Sequence, residues 1–402
     1  MKKKILLFTL VLITFILTAC FKKEPEEVPK EVFFTKYFES ASTWDTALEL
    51  YNQSSEYINL SDYKIVIYSN GSLTPSYTVE LEGVIKPKDF FVVSSTYLES
   101  EVLQAKTDMM SSNLIFNGDD AIRLTKGSIV IDALGDIGST VEFARDVTLI
   151  KKLEYLDAYS NYEGYNYIRY KVDAYDYLKT FDDILTNEEL IDGPKLDDID
   201  PTLPLIDEQT GFGTGGFVEV TLQSVADGDT ARFMFPAPLY SQSVRYAYNN
   251  TTEVIGSGSL TGDPWAYKAS HFNLNNLNNA STNGDKIRIQ SLAGESMSGG
   301  YDRLMALVWV GNRLLNYENV RAGLTYSGVL GTVSERIQQM SYRDVPFTSF
   351  MDNAERRAQL NSWGINTLDD KYDYNAGRPT ITDRNDPQLA IDPRHFNSLW
   401  DR

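Results

Sequence analysis

A few side chains between positions 227 and 303 are of the types that hydrolysis of a phosphodiester requires. That reaction needs a base to orient water, cations to neutralise developing charge and, in most enzymes, a metal bridging the phosphate. The chain has two histidines, His271 and His395, which leaves at most one pair for chemistry built on histidine and makes such chemistry a poor expectation. Carboxylates, arginines and a hard cation would have to supply all three contributions. Asp227 and Asp229 stand in the turn DGDT, Arg245 and Glu253 lie eight residues apart, and Arg303 precedes the apolar run LMALVWV. Planar guanidinium groups match phosphate bidentately, and Ca²⁺ takes oxygen ligands, amide carbonyls included. The bland alternative is a turn, a surface ion pair worth ~1 kcal/mol or less, and a solvated hairpin residue.

Pattern reading supplies elements to hold these groups. FVEVTLQSVADGDTARFMF opens as a strand, and TSFMDNAERRAQLNSWGI closes as a helix. Between them come the helical PWAYKASHFNLNNLNNA, the strand DKIRIQS, a hairpin through Gly311 and the helical NYENVRAGL. A small barrel with two or three helices, of OB-fold type, is the expected assembly for residues 217–364.

Over this span the sequence resembles the thermonuclease (micrococcal nuclease-like) family. The resemblance rests on DGDT at 227–230, on Arg245 with Asn250 five and Glu253 eight residues later, on Tyr301-Asp302-Arg303 before an apolar strand, and on VRAGL followed by a helix ending near Trp363. It implies that Asp229 and Asn250 are Ca²⁺ ligands, assisted by the Thr251 carbonyl, and that Glu253 is the general base. It further implies that Arg245 and Arg303 clamp the phosphoryl oxygens and that Tyr301 packs on sugar or phosphate. Three positions depart from the family: Asn250 stands for its aspartate, Asp302 stands where it often has glycine, and Thr252 stands for the usual proline before the glutamate. The implied activity is calcium-dependent hydrolysis of DNA or RNA. The rival expectation is a catalytically inactive binding or adhesion module that keeps the fold.

Residues 32–186 read as short runs of alternating polarity, KIVIYSN, YTVELEGVI, FFVVSS and IRLTKGSIVIDALG, divided by turns. Such spacing suggests an antiparallel β-sandwich. The stretches ALELYNQSSEYINLSDYKIVIYSNG and FNGDDAIRLTKGSIVIDALGDIG resemble the lamin-tail domain family, which implies an Ig-like fold and an accessory role with an unknown partner. Asp119–Asp120 is read as a turn in preference to a calcium site. The fold class expected is therefore mainly β and multidomain, an Ig-like sandwich followed by an OB-fold barrel.

The first twenty residues read differently. Lys2–Lys4 precede thirteen apolar-run residues and LTAC, which ends at Cys20, the single cysteine. The run is too short for a ~20-residue span, and the pattern is that of a secretory signal. Its ending resembles the bacterial lipobox, implying lipidation at Cys20 and a membrane-anchored protein facing the extracellular or periplasmic side. One cysteine excludes intrachain disulfides and zinc–cysteine sites. Residues 21–31 read as a solvated tether and 187–216 as an interdomain linker. GFGTGG within the latter matches G-x-G-x-x-G but lacks the flanking strand and helix. The extension 365–402 has no assigned role. The net charge is −19 overall, −18 over 32–214 and −1 over 215–364, so the first half is a poor nucleic-acid binder and the second is not disqualified.

Overall fold

The computed structural model describes residues 30–41, 44–252, 264–326 and 340–366. It is mainly β, with few helices and several sheets. Cys20, Glu253 and the extension beyond Asn366 lie outside the described residues. Among the described residues no helix is long and apolar enough to cross a membrane.

The first half is two facing sheets. Its strands are Val32–Glu39 (β1), Thr46–Asn52 (β2), Tyr63–Tyr68 (β3), Tyr77–Glu80 (β4), Phe90–Ser95 (β5), Met109–Ser111 (β6), Ala121–Lys126 (β7), Ile129–Leu134 (β8), Thr148–Lys151 (β9) and Tyr167–Tyr170 (β10). One sheet runs β10-β9-β1-β2-β5-β6 and the other β8-β7-β3-β4. β3 alternates strictly, with Tyr63, Ile65 and Ile67 buried and the residues between them half-buried, as a strand with one wet face should. β1 is buried along its whole length, because it sits in the middle of its sheet and is covered on both faces. Val32, Phe34, Leu48, Leu50, Ile65, Ile67, Ile122 and Leu124 fill the space between the sheets.

The second half is built on Phe217–Val225 (β11), Thr230–Met234 (β12), Ser241–Tyr246 (β13), Ile287–Gln290 (β14) and Arg303–Val310 (β15). The order is β13-β12-β11-β14-β15, and β15 then pairs in parallel with β13, so the sheet closes on itself. A parallel pair needs a crossover, and the helix Pro264–Thr282 lies in the connection from β13 to β14. Val244, Tyr246, Ala306, Val308 and Phe272 pack inside. The hairpin through Gly311 forms as expected, with Trp309 paired to Leu314.

Residues 187–216, expected to link two units, do not hang free. Asn187–Asp192 (α1) opens with a reciprocal capping box between Thr186 and Glu189. Gly193 follows at φ 76° and presses on Tyr317, where a Cβ would meet ring carbons at 2.3 Å. The Tyr317 hydroxyl lies 2.7 Å from the Leu190 carbonyl, and Arg321 Nη1 donates to the Ile191 carbonyl at 2.8 Å. A single apolar cluster runs from Ile150, Ile168 and Tyr170 of the sandwich through Leu190 and Leu196 to Trp309, Tyr317, Phe347 and Phe350. The acidic, proline-bearing composition suggested solvent exposure, but its leucines and isoleucines supply the apolar area that joins the halves.

The closing helix Phe347–Leu360 (α2) buries Phe347, Phe350, Met351, Ala354 and Ala358, one stripe at helical spacing. Lys152 Nζ donates to Asn353 Oδ1 of this helix at 2.7 Å, and Lys171 pairs with Asp344 at 2.7 Å.

Candidate functional site

The DGDT turn leads directly into β12, and Thr230 is paired with Arg245 on β13. The turn is compact for a packing reason: a Cβ at Gly228 would lie 2.6 Å from the Ala269 Cβ and 2.8 Å from Thr251 Cγ2. Asp227 Oδ1 accepts the Asp229 N–H at 3.1 Å, which fixes the turn and aims the Asp229 side chain inward. Asp229 is fully buried.

Four donors converge on that carboxylate. Arg245 Nη1 and the Thr230 hydroxyl donate to Oδ1, the latter at 3.1 Å. The Thr251 N–H and hydroxyl donate to Oδ2 at 2.7 and 3.0 Å. Arg245 uses its other terminal nitrogen on the Asn250 Oδ1 at 2.9 Å and the Asn249 carbonyl at 3.2 Å. Burial pushes the Asp229 carboxyl up to about 6, against the opposing pull of the Arg245 guanidinium, with Asp227 adding to the rise. Asp229, Arg245, Asn250 and Thr251 are thus brought together, with Arg245 at the centre.

This arrangement bears on whether a Ca²⁺ ion fits. An ionised carboxylate offers about four lone-pair directions, and all four on Asp229 are taken by protein donors. The amide oxygen of Asn250, the second expected ligand, also points at Arg245. A guanidinium therefore stands where the oxygens converge, and its charge balances the single negative charge of Asp229. Among the described residues no group of three or more His, Cys, Asp or Glu side chains is placed to hold a metal. As arranged, Asp229, Asn250 and Thr251 do not fit a calcium ion.

Arg303 starts β15 level with Ser243, two residues before the rung that pairs Arg245 with Met305. Val244 and Ala306 point into the barrel core, so Arg245, one position from Val244, and Arg303, three positions from Ala306, are on the outer face. Arg303 is half-buried, donates from Nε to the Gly300 carbonyl at 3.2 Å, and lies 5.4 Å from the ring of Tyr301. Tyr301 is 92% exposed. Tyr301 and Asp302 have φ of 61° and 53°, the left-handed region that glycine enters most readily and that aspartate tolerates better than most residues. The turn that presents Arg303 therefore survives with Asp302 in place of glycine.

Three buried asparagines that the sequence reading passed over support this loop. Asn249 Nδ2 donates to the Asn316 carbonyl at 2.9 Å, and Asn319 Nδ2 donates to Asn249 Oδ1 and the Gly228 carbonyl at 3.0 Å. Asn316 Nδ2 donates to the Ala247 carbonyl at 2.8 Å and its Oδ1 accepts the Val308 N–H at 2.8 Å. The signal was available: Asn316 and Asn319 stand three apart among Leu315 and Val320, so a helix puts both on one apolar side.

The sandwich is the part that comparison with known families identifies. Residues 25–138 match the family model of the Lamin Tail Domain. The first half therefore contains an Ig-like lamin-tail domain, as its resemblance to that family led us to expect. The match ends at Gly138, whereas β9 and β10 continue the same sheet to Tyr170. No curated protein matches the chain.

Proposed function

We propose that this is a surface lipoprotein, anchored through a lipid on Cys20, whose barrel is an OB-fold of thermonuclease type directed at the phosphodiesters of DNA or RNA. The observation that carries this reading is the parallel pairing of β13 with β15. It sets Arg245 and Arg303, far apart in sequence, on neighbouring strands of one outer face. Two guanidinium groups on one face, beside an exposed aromatic ring, suit a phosphate and its attached sugar or base. Glu253, one residue past the last described position of this loop, is the base in this reading.

The chemistry assigned here involves no metal. Arg303 binds a phosphate oxygen from the exposed turn. Arg245 has to release Asp229 or Asn250 before it does the same, so its contribution comes at the cost of a buried ion pair. Calcium, if the protein uses it, requires a rearrangement of the Asp229–Arg245–Asn250 cluster.

A second reading is a binding module that has lost hydrolysis. What favours it is the closure of Asp229, whose four acceptor positions are filled by Arg245, Thr230 and Thr251. Full-length protein incubated with plasmid DNA and with RNA, with Ca²⁺ and with chelator, separates the two. Cleavage that Glu253→Gln removes supports the nuclease. Retention of nucleic acid on the protein without cleavage, lost in Arg303→Ala, supports the module. Neither cleavage nor retention removes both.

A further inference from the structure

Lys151 and Asp132 form a buried pair that the nuclease reading does not use. Lys151 ends β9 in one sheet and Asp132 lies in β8 of the other, so the pair bridges the sandwich. Nζ is 2.8 Å from Asp132 Oδ2, with the two side chains 0% and 1% exposed. The rings of Phe33, Tyr159 and Tyr167 stand 4.9, 5.5 and 5.5 Å from Nζ. The remaining contact of Nζ is the Asp157 carbonyl at 2.9 Å. Around the carboxyl, Phe34 N–H donates to Oδ2 at 2.9 Å, while Tyr159 N–H and Ala133 N–H donate to Oδ1 at 2.9 and 3.0 Å.

We propose that Lys151 and Asp132 condense into an intramolecular amide that joins the two sheets of the sandwich covalently. The reactants are a neutral amine and a neutral carboxylic acid. Burial favours both, lowering the lysine and raising the aspartate from their ordinary values. The Nζ lone pair attacks Cγ, and the Nζ–Cγ bond forms as the Cγ–Oδ2 bond breaks. Oδ2 leaves as water, taking the carboxylic proton and one proton from Nζ. Oδ1 remains as the amide oxygen. Charge developing on it in the tetrahedral intermediate meets the N–H groups of Tyr159 and Ala133, an arrangement of fixed donors of the kind that stabilises acyl-transfer intermediates. The proton passes along the existing Nζ–Oδ2 contact of 2.8 Å. No oxidant or cofactor enters the balance.

Condensation of an amine with an acid is disfavoured in dilute water, so proximity has to drive it. Well-oriented intramolecular groups reach effective molarities of ~10⁵–10⁸ M, and a dry pocket does not retain the water released. A second buried lysine–carboxylate pair among the described residues, Lys36 with Glu49, differs in place: the two residues are register partners on neighbouring strands of one sheet. A bond there would add little to what the strand pairing already holds.

Intact mass is the decisive measurement. A tryptic map alone is ambiguous, because the segment ending at Arg145 cross-linked to the next has the same mass as the two left uncut. The full chain carrying Cys20→Ser, so that no lipid adds mass, is compared under denaturing conditions with the same chain carrying Lys151→Arg. Arginine keeps the ion pair but cannot form this amide. We expect the two masses to differ by the lysine-to-arginine change plus one water, and fragment spectra to locate the branch at Lys151 and Asp132. A difference equal to the substitution alone makes the pair an ordinary ion pair and overturns the proposal. So does a water loss that fragment spectra assign to Lys36 and Glu49. Should Lys151→Arg not fold, the mass of the parent chain against its own sequence still decides.

Discussion

Asp229 and Arg245 are ion-paired at the base of β12 and β13, and the arginine that a phosphate would need is the same one that neutralises the buried carboxylate. The residues of the following loop are arranged about that pair. Thr251 is drawn in by Asp229, and Asn249 and Asn250 by Arg245.

Removing the guanidinium should therefore cost stability in a pH-dependent way. Arg245→Met leaves Asp229 buried without its cation, and breaking a buried pair from one side costs ~3–5 kcal/mol. Protonating Asp229 relieves the penalty. Urea midpoints of the parent and the variant should differ more at pH 8 than at pH 5. An equal loss at both values would show that the charge on Asp229 is not what Arg245 serves.

Calcium should be nearly without effect on the parent protein and visible in one variant. Asn250→Asp adds a second carboxylate beside Arg245, and ligand charge is a main determinant of calcium affinity, which spans ~10⁻⁹ to ~10⁻³ M across protein sites. A ligand present at 100 times its Kd raises stability by ~2.7 kcal/mol. Thermal melts with and without millimolar Ca²⁺ should move upward for Asn250→Asp and stay in place for the parent. An upward shift in the parent would mean that the Asp229 cluster opens for the metal.

The barrel should not fold alone. Trp309, Tyr317, Phe347 and Phe350 are covered by Tyr170, Ile184 and Leu190, which a fragment of residues 215–402 lacks. Circular dichroism of that fragment should show no cooperative melt, whereas the full chain should melt as one unit. A sharp transition in the fragment would make the shared core dispensable.

Stability of the whole chain should fall as pH rises from about 5 to 7.5. Burial raises Glu39 from 4.5 to about 7, outweighing hydrogen bonds from the Tyr37 hydroxyl and the Asp146 N–H. Burial likewise raises Glu318 to about 7, against the pull of Arg321 and Arg313. A carboxyl with a raised folded value contributes stability that is complete below its unfolded value and lost as pH passes the folded one. Burial raises Glu189 but its hydrogen bonds from Thr186 and Arg343 lower it by more, so its contribution is lost only as pH falls below the ordinary glutamate range, outside this window. Urea midpoints at the two pH values test the balance, and a midpoint that rises with pH would refute it.

Much of the fold was legible because its signals are local. The Gly311 hairpin, the helix at 347–360 and the alternation in β3 each depend on a few neighbouring residues. The lamin-tail match agrees with the strand and turn pattern of the first half. The family resemblance names Asp229, Arg245, Asn250 and Thr251, and their side chains and backbone do lie within hydrogen-bonding reach of one another. Which cation they enclose was not readable, because spacing carries no information about where a long side chain goes. The fusion of the halves was hidden for a similar reason. Leu190, Leu196 and Ile199 are scattered through an acidic stretch, and only the surface opposite them, Trp309 and Tyr317, makes them core residues. Lys36 and Lys151 left a trace: a lysine inside the run VFFTKYFE, and another closing TLIK, interrupt otherwise apolar strands.

The central position of β1 has a mechanical consequence. The chain enters the sandwich at Val32, and β1 is antiparallel to β2 along its length and to β9 over residues 36–38. Tension applied through the preceding residues runs along the strand, at right angles to those hydrogen bonds. They are loaded together instead of one after another, so they cannot be unzipped singly. Extraction of β1 would have to shear both neighbours at once, and would drag apolar side chains out of the core. A protein held by its N-terminal end and pulled at the other would be strongest where it is first gripped.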